Sequence, residues 1–237
     1  MFFKKECFIT LMLFTFVYVG KSQSLLGIQI GLSNSCLNTN INNRIYSTNQ
    51  SNIGFTCGIT FHLQIKSGFC AEIAPDITQK NYSINRTDSL TGIYESFVNT
   101  YSQLPLIVHG IYGNRLKVFA DIGLYGAYWF AGKVKGKIPD IFSSNTNSNI
   151  TGESRESFQL SGYNEKYQFD RKRDNRWEFG WIVGAGMQYP LNKKYSFFVK
   201  GTCYQSLTDQ QKKYMVNQIP KYNQTFTCSL GMMRYLH

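Results

Sequence analysis

The sequence predicts an all-β chain closed into an eight-stranded antiparallel up-and-down transmembrane β-barrel, with short periplasmic turns and long extracellular loops. Three observations predict it. An export segment opens the chain and no apolar helix follows it, eight stretches alternate apolar and polar residues, and the connections between them alternate long and short. Period-two alternation is the mark of a strand with two unlike faces. Alternating loop lengths are the mark of a barrel that crosses an outer membrane.

The first residues read Met1-Phe-Phe-Lys-Lys-Glu6, followed by an apolar run over residues 7–20 and then Lys21-Ser-Gln-Ser24. A basic start, a short apolar core and small residues at the exit describe a secretory signal peptide over residues 1–24. About 14 apolar residues fall short of the roughly 20 that a helical span requires. The remaining residues, 25–237, form one barrel domain, and in them no stretch reaches 18 consecutive apolar residues.

Composition agrees. Aromatic residues make up 16% of the 237, charged residues only 16%, with 20 Gly and 5 Pro. Tyr and Phe favour pleated, half-buried surfaces, and a mildly negative mean hydropathy suits a barrel whose lumen and loops are polar. Formal net charge is +11, of which Lys4, Lys5 and Lys21 against Glu6 supply +2, leaving +9 beyond the export segment. The cations are spread over loops and barrel ends instead of one stripe, which argues against nucleic acid and toward outer-membrane lipid and the phosphates of lipopolysaccharide. Of six Cys, Cys7 falls in the export segment; Cys36, Cys57, Cys70, Cys203 and Cys228 form no CxxC and no Cys/His cluster at metal spacing. Neither a metal nor a cofactor is expected.

Residues 25–35 put Leu26, Ile28, Ile30 and Leu32 on one face, and the polar loop 36–52 follows. Residues 53–66 alternate Phe55, Cys57, Ile59, Phe61, Leu63 and Ile65 against Thr56, Gly58, Thr60, His62 and Gln64, ending at the tight turn Ser67-Gly68. The third strand, 69–85, turns Phe69, Ala71, Ile73 and Ile77 outward and Glu72, Asp76, Thr78 and Lys80 inward, with a bulge expected at Pro75. After the polar loop 86–95, the fourth strand, 97–112, turns Leu104, Leu106 and Val108 outward and Gln103, Pro105, Ile107 and His109 inward.

Gly113-Asn114 closes the hairpin that shows the pattern best. Its second arm sets Leu116, Val118, Ala120, Ile122, Leu124, Gly126, Tyr128 and Phe130 against Lys117, Phe119, Asp121, Gly123, Tyr125, Ala127 and Trp129, and both charges lie in the second set. A long polar loop, 132–175, comes next; parts of it are candidates to extend the flanking strands beyond the membrane. The sixth strand, 176–189, aligns Trp177, Phe179, Trp181, Val183, Ala185, Met187 and Tyr189 opposite Glu178, Gly180, Ile182, Gly184, Gly186 and Gln188. A short turn at 190–194, a seventh strand at 195–207 carrying Lys200 inward, a polar basic loop at 208–223 and an eighth strand at 224–236 complete the series.

Several of these stretches resemble one family. Gly27-Ile-Gln-Ile-Gly-Leu-Ser33, Tyr101-Ser-Gln-Leu-Pro-Leu-Ile-Val108, Val118-Phe-Ala-Asp-Ile-Gly-Leu-Tyr125, Phe179-Gly-Trp-Ile-Val-Gly-Ala-Gly-Met-Gln-Tyr189 and Ser229-Leu-Gly231 look like the strands of small Bacteroidetes outer-membrane barrels, often called PorT-like. The likeness implies envelope or secretion proteins as partners. One departure stands out: such barrels end on an aromatic residue, whereas this chain ends Tyr235-Leu-His237. Asp88-Ser89-Leu90 resembles the three-residue O-glycosylation signal of the same bacteria.

The inward set Glu72, Asp76, His109, Lys117, Asp121, Glu178 and Lys200 is the candidate site. Confined charges must pair or cost several kcal/mol each, so the set is either a salt-bridged plug or a narrow polar conduit. No catalytic residue is assigned: a hydrolase needs a nucleophile beside His and carboxylate. His62 and His109 sit in no such motif, and Glu72 and Asp76 lie about 13 Å apart along one strand. The reading is a non-enzymatic outer-membrane barrel that acts through its long extracellular loops. The alternatives are an outer-membrane hydrolase with a site at the rim and a soluble lipocalin-like barrel, with Trp177, Phe179 and Trp181 lining an apolar cavity instead of facing lipid.

Overall fold

The computed structural model describes residues 24–39, 46–66, 68–139 and 160–236. The export segment up to residue 23, Ser67 and His237 lie outside the described residues, as do 40–45 and 140–159. The elements are β1 (Ser24–Asn38), β2 (Ser47–Lys66), β3 (Phe69–Ile73), β4 (Asp76–Gln79), β5 (Tyr82–Arg86), β6 (Tyr94–Tyr112), β7 (Lys117–Pro139), β8 (Leu160–Lys166), β9 (Trp177–Pro190), β10 (Tyr195–Ser206) and β11 (Tyr222–Leu236). Among the described residues no α-helix occurs; one 3-10 turn, Asp88–Leu90, lies between β5 and β6.

The strands close a ring. β1 pairs with β2 and with β11, β11 with β10, β10 with β9, β9 with β7 and β7 with β6, all antiparallel. β3, β4 and β5 run end to end as the remaining stave between β2 and β6. Eight staves with no free edge are an up-and-down barrel, the arrangement that satisfies every spanning backbone group in lipid. Ser24 pairs with both Leu63 and Leu236, so the first described residue and the end of β11 share one end with the short turns.

The outer face is apolar. Ile28, Ile30 and Leu32 of β1 are 59–63% exposed, and Ile122 and Leu124 of β7 are 66% and 64% exposed. Trp177, Phe179 and Trp181 also face out. This corrects the lipocalin alternative, which needs that row inside: here Glu178, Gly180 and Ile182 point in. The lumen is filled by large rings packed against glycines. A Cβ on Gly186 would collide with the ring of Phe119 and with the Val199 carbonyl. At the β6–β7 turn, Gly113 has φ +107°, and a Cβ there would strike the Leu116 carbonyl.

Two expectations change in detail, and one is borne out. Pro75 does not produce a bulge: Ile73 pairs with Phe61 and Leu106, Asp76 pairs with Gly58 and Gln103, and the spacing is unchanged across the gap. The ladder merely skips the ring that lacks an N–H, while the Pro75 carbonyl still accepts from Ile59 N at 3.0 Å. The slip comes higher up, where Thr56 pairs with Thr78 but Ser51 with Tyr82, leaving one extra residue on β2. The expected extension of the strands into 132–175 is found: β7 runs on to Pro139 and pairs antiparallel with β8 above the ring. The connection from β1 to β2 is shorter than the expected 36–52, since those strands reach Asn38 and begin at Ser47.

Candidate functional site

Strand parity brings the charged residues of different staves into two layers inside the ring. In the layer nearer the short turns, Glu72 is 1% exposed and gathers four partners. The Lys200 ammonium lies 2.9 and 3.1 Å from its two oxygens, Thr60 Oγ1 donates to Oε1 at 2.9 Å, and His109 Nε2 and His62 Nε2 stand 2.5 and 3.5 Å from Oε2. His109 Nδ1 meets Asp121 Oδ1 at 2.6 Å, and the His62 and His109 rings stack 4.8 Å apart.

In the layer nearer the long loops, Glu178 is the hub. Lys80 Nζ, the Tyr125 hydroxyl and Asn223 Nδ2 donate to its oxygens at 2.5, 2.7 and 2.5 Å. The Lys80 ammonium also lies over the Tyr101 and Tyr125 rings, 4.9 and 4.8 Å from their centroids. Asp76 sits between the layers in a hydroxyl chain, accepting from Thr78 Oγ1 at 2.8 Å, with Thr56 and Gln103 on Thr78.

Of the seven candidate residues, Glu72, His109, Asp121 and Lys200 meet, Glu178 and Asp76 lie apart from them, and Lys117 is only half-buried. Lys117 lines a cavity of about 350 Å³ at the short-turn mouth, together with His62, Gln64, Cys70 and Gln188. The candidate set omits Lys80, Tyr101, Tyr125 and Asn223, which complete the second layer. Lys80 carries the inward parity, but Tyr and Asn give no charge signal in the sequence.

The long-loop mouth is capped. Gln210 reaches down to the Tyr101 and Tyr82 hydroxyls at 3.2 and 3.4 Å. Lys212 N donates to the Arg173 carbonyl and Asn175 Nδ2 to that of Asp209, tying the 167–176 segment to the 207–221 loop. Tyr167 donates to Asp174 at 2.9 Å; burial first, and then that bond, holds its phenol above the ordinary range. Arg176 stacks over Phe169 and Tyr128 and donates to the Trp129 carbonyl at 2.8 Å.

A second site lies outside the ring. Tyr101 pairs with Trp129 but Thr100 pairs with Ala131, so Phe130 is an extra residue in β7. Beyond it the parity of β7 is reversed. Lys133, Lys135 and Lys137 therefore stand opposite Val98, Ser96 and Tyr94, on the face that carries Leu104, Leu106 and Val108 lower down β6. Lys166 of β8 pairs with Lys133. Together Lys133, Lys166, Phe130, Thr100 and Val98 line a groove of about 520 Å³. Lys133 and Lys166 thus share the groove with Phe130, and on the same strand Tyr128 packs against Trp177.

The sequence profile of the outer membrane protein beta-barrel domain matches residues 21–211. No curated relative matches the chain. Among solved structures, the outer membrane protease OmpT from Escherichia coli aligns with a TM-score of 0.52 at 10% identity, over 90% of this chain and 97% of that one. OprG from Pseudomonas aeruginosa aligns with a TM-score of 0.47 at 11% identity, over 92% and 98% of the two chains. Ail from Yersinia pestis gives 0.39 at 11% identity, over 89% and 99%. At such identities the likeness concerns the fold alone. With most of its length under the family profile and its strands closed into an apolar-faced ring, the chain belongs to the outer membrane protein beta-barrel domain family and resides in the outer membrane.

Proposed function

We propose that this protein is a non-enzymatic, sealed barrel that acts through its outer rim, where the lysine groove seats the phosphates of lipopolysaccharide. The observation that carries the reading is the Phe130 bulge, which sets Lys133, Lys135 and Lys137 on the lipid-side face immediately above the apolar band. Ammonium groups at that height meet lipid phosphates, each worth about 1 kcal/mol near a charged membrane surface. The filled lumen favours the rim as the working surface. Its two ionic layers and the Gln210 cap occupy the path, and His109 is flanked on both nitrogens by carboxylates where a hydrolase needs a nucleophile. The PorT-like resemblance directs the search for protein partners to envelope assembly and secretion, through the same exposed hairpin.

The test replaces Lys133 and Lys166 together by Gln in the full-length barrel and measures lipopolysaccharide binding at low ionic strength. About 30-fold weaker binding is expected, the sum of two such contacts. The heat-dependent gel mobility of the folded barrel should be unchanged. Undiminished binding would contradict the proposal.

A further inference from the structure

We propose that His62, Glu72 and His109 form a binding site for one late first-row divalent transition ion, zinc above all, reached from the short-turn mouth. Nε2 of the two imidazoles and one carboxylate oxygen lie within 4.8 Å of one another, on side chains 7%, 1% and 1% exposed. Two histidines and a carboxylate are the donor set of many zinc and other transition-metal centres. The three residues come from β2, β3 and β6, so no sequence spacing announces them.

The surroundings are arranged for ligation. Asp121 takes Nδ1 of His109, which leaves Nε2 as the ligating nitrogen, the carboxylate–histidine–metal arrangement that orients a ligand. That Nε2 stands 2.5 Å from Glu72 Oε2, hydrogen-bond distance for an imidazole and a carboxylate that share a proton. An ion therefore enters by displacing that proton, and the imidazole and carboxylate part by somewhat under about 1 Å to take ligand spacing. Thr60 bonds Glu72 on the other oxygen, Oε1, where Lys200 also makes its nearer contact, so both hold the carboxylate while Oε2 turns to the imidazoles. His62 lines the mouth cavity of about 350 Å³, which provides the way in and room for a water as further ligand. The competing occupant is a proton on His109.

The test titrates zinc, and cobalt as its spectroscopic substitute, into the refolded full-length barrel in detergent. One equivalent should bind, without the thiolate-to-cobalt band that binding to a cysteine would give. Asp121→Asn should weaken binding about 10–100-fold, as outer partners of metal ligands do. His62→Gln, which removes a ligand but loosens no close ion pair, should weaken it more while the barrel keeps its heat-dependent mobility. A folded wild-type barrel that binds no zinc would overturn the site. So would undiminished binding by His62→Gln, or a thiolate band. None of these outcomes bears on the lysine groove.

Discussion

At the scale of single residues, the interior is a set of buried ions that are stable only in company. Lys80 is fully buried, and Glu178 accepts from it, from Tyr125 and from Asn223. Removing one partner of a buried pair leaves an uncompensated charge. Lys80→Met should therefore destabilise the barrel by about 3–5 kcal/mol, measured by urea unfolding in lipid vesicles. The double variant Lys80→Met with Glu178→Gln should recover much of that loss, and a single variant of wild-type stability would refute the pairing. Which face each charged residue takes is legible in the sequence, because a strand has a period of two. Its partner is not: Lys200 and Glu72 meet across 128 positions, and only ring closure brings them together.

At the scale of elements, the third stave and β7 show what alternation alone misses. Pro75 draws attention as a strand breaker, yet the register passes through it because only its missing N–H is lost to the ladder. The bulge that matters is at Phe130, an unremarkable aromatic in an apolar run. Residues 133–138 alternate Lys with Val, Gly and Ile, but a strand above the membrane has no apolar face to advertise, so the sequence offers a strand extension here without fixing its bounds or its facing. The bulge makes an unusual expectation. Deleting Phe130 should be tolerated, with folding and lipopolysaccharide binding retained, because Ala131 takes its place and the lysines stay outward. Deleting Leu124, in regular ladder on the same strand, should abolish the heat-dependent mobility shift by reversing every later side chain.

At the scale of the whole molecule, the eight staves and their loop order follow from the sequence because the bilayer imposes both: spans of at least about 9–11 residues, short turns at one end and long loops at the other. The lumen is the part that sequence leaves open between plug and conduit, since both need polar residues inside. In the structure Glu72 and Glu178 are each the hub of an ionic layer and Gln210 is seated above, an arrangement that favours the plug. In planar bilayers the purified protein should give no stepwise conductance. Regular steps would show that the layers part and that the lumen, not the rim, carries the function.

The most direct measurement compares lipopolysaccharide with the same lipid stripped of its phosphates, binding to the unaltered barrel. If the groove of Lys133 and Lys166 seats phosphate, dephosphorylation should weaken binding to the level of the Lys133→Gln, Lys166→Gln double variant, and that variant should no longer distinguish the two lipids. Equal binding of both lipids by the unaltered barrel would contradict the proposal and leave the groove without its ligand.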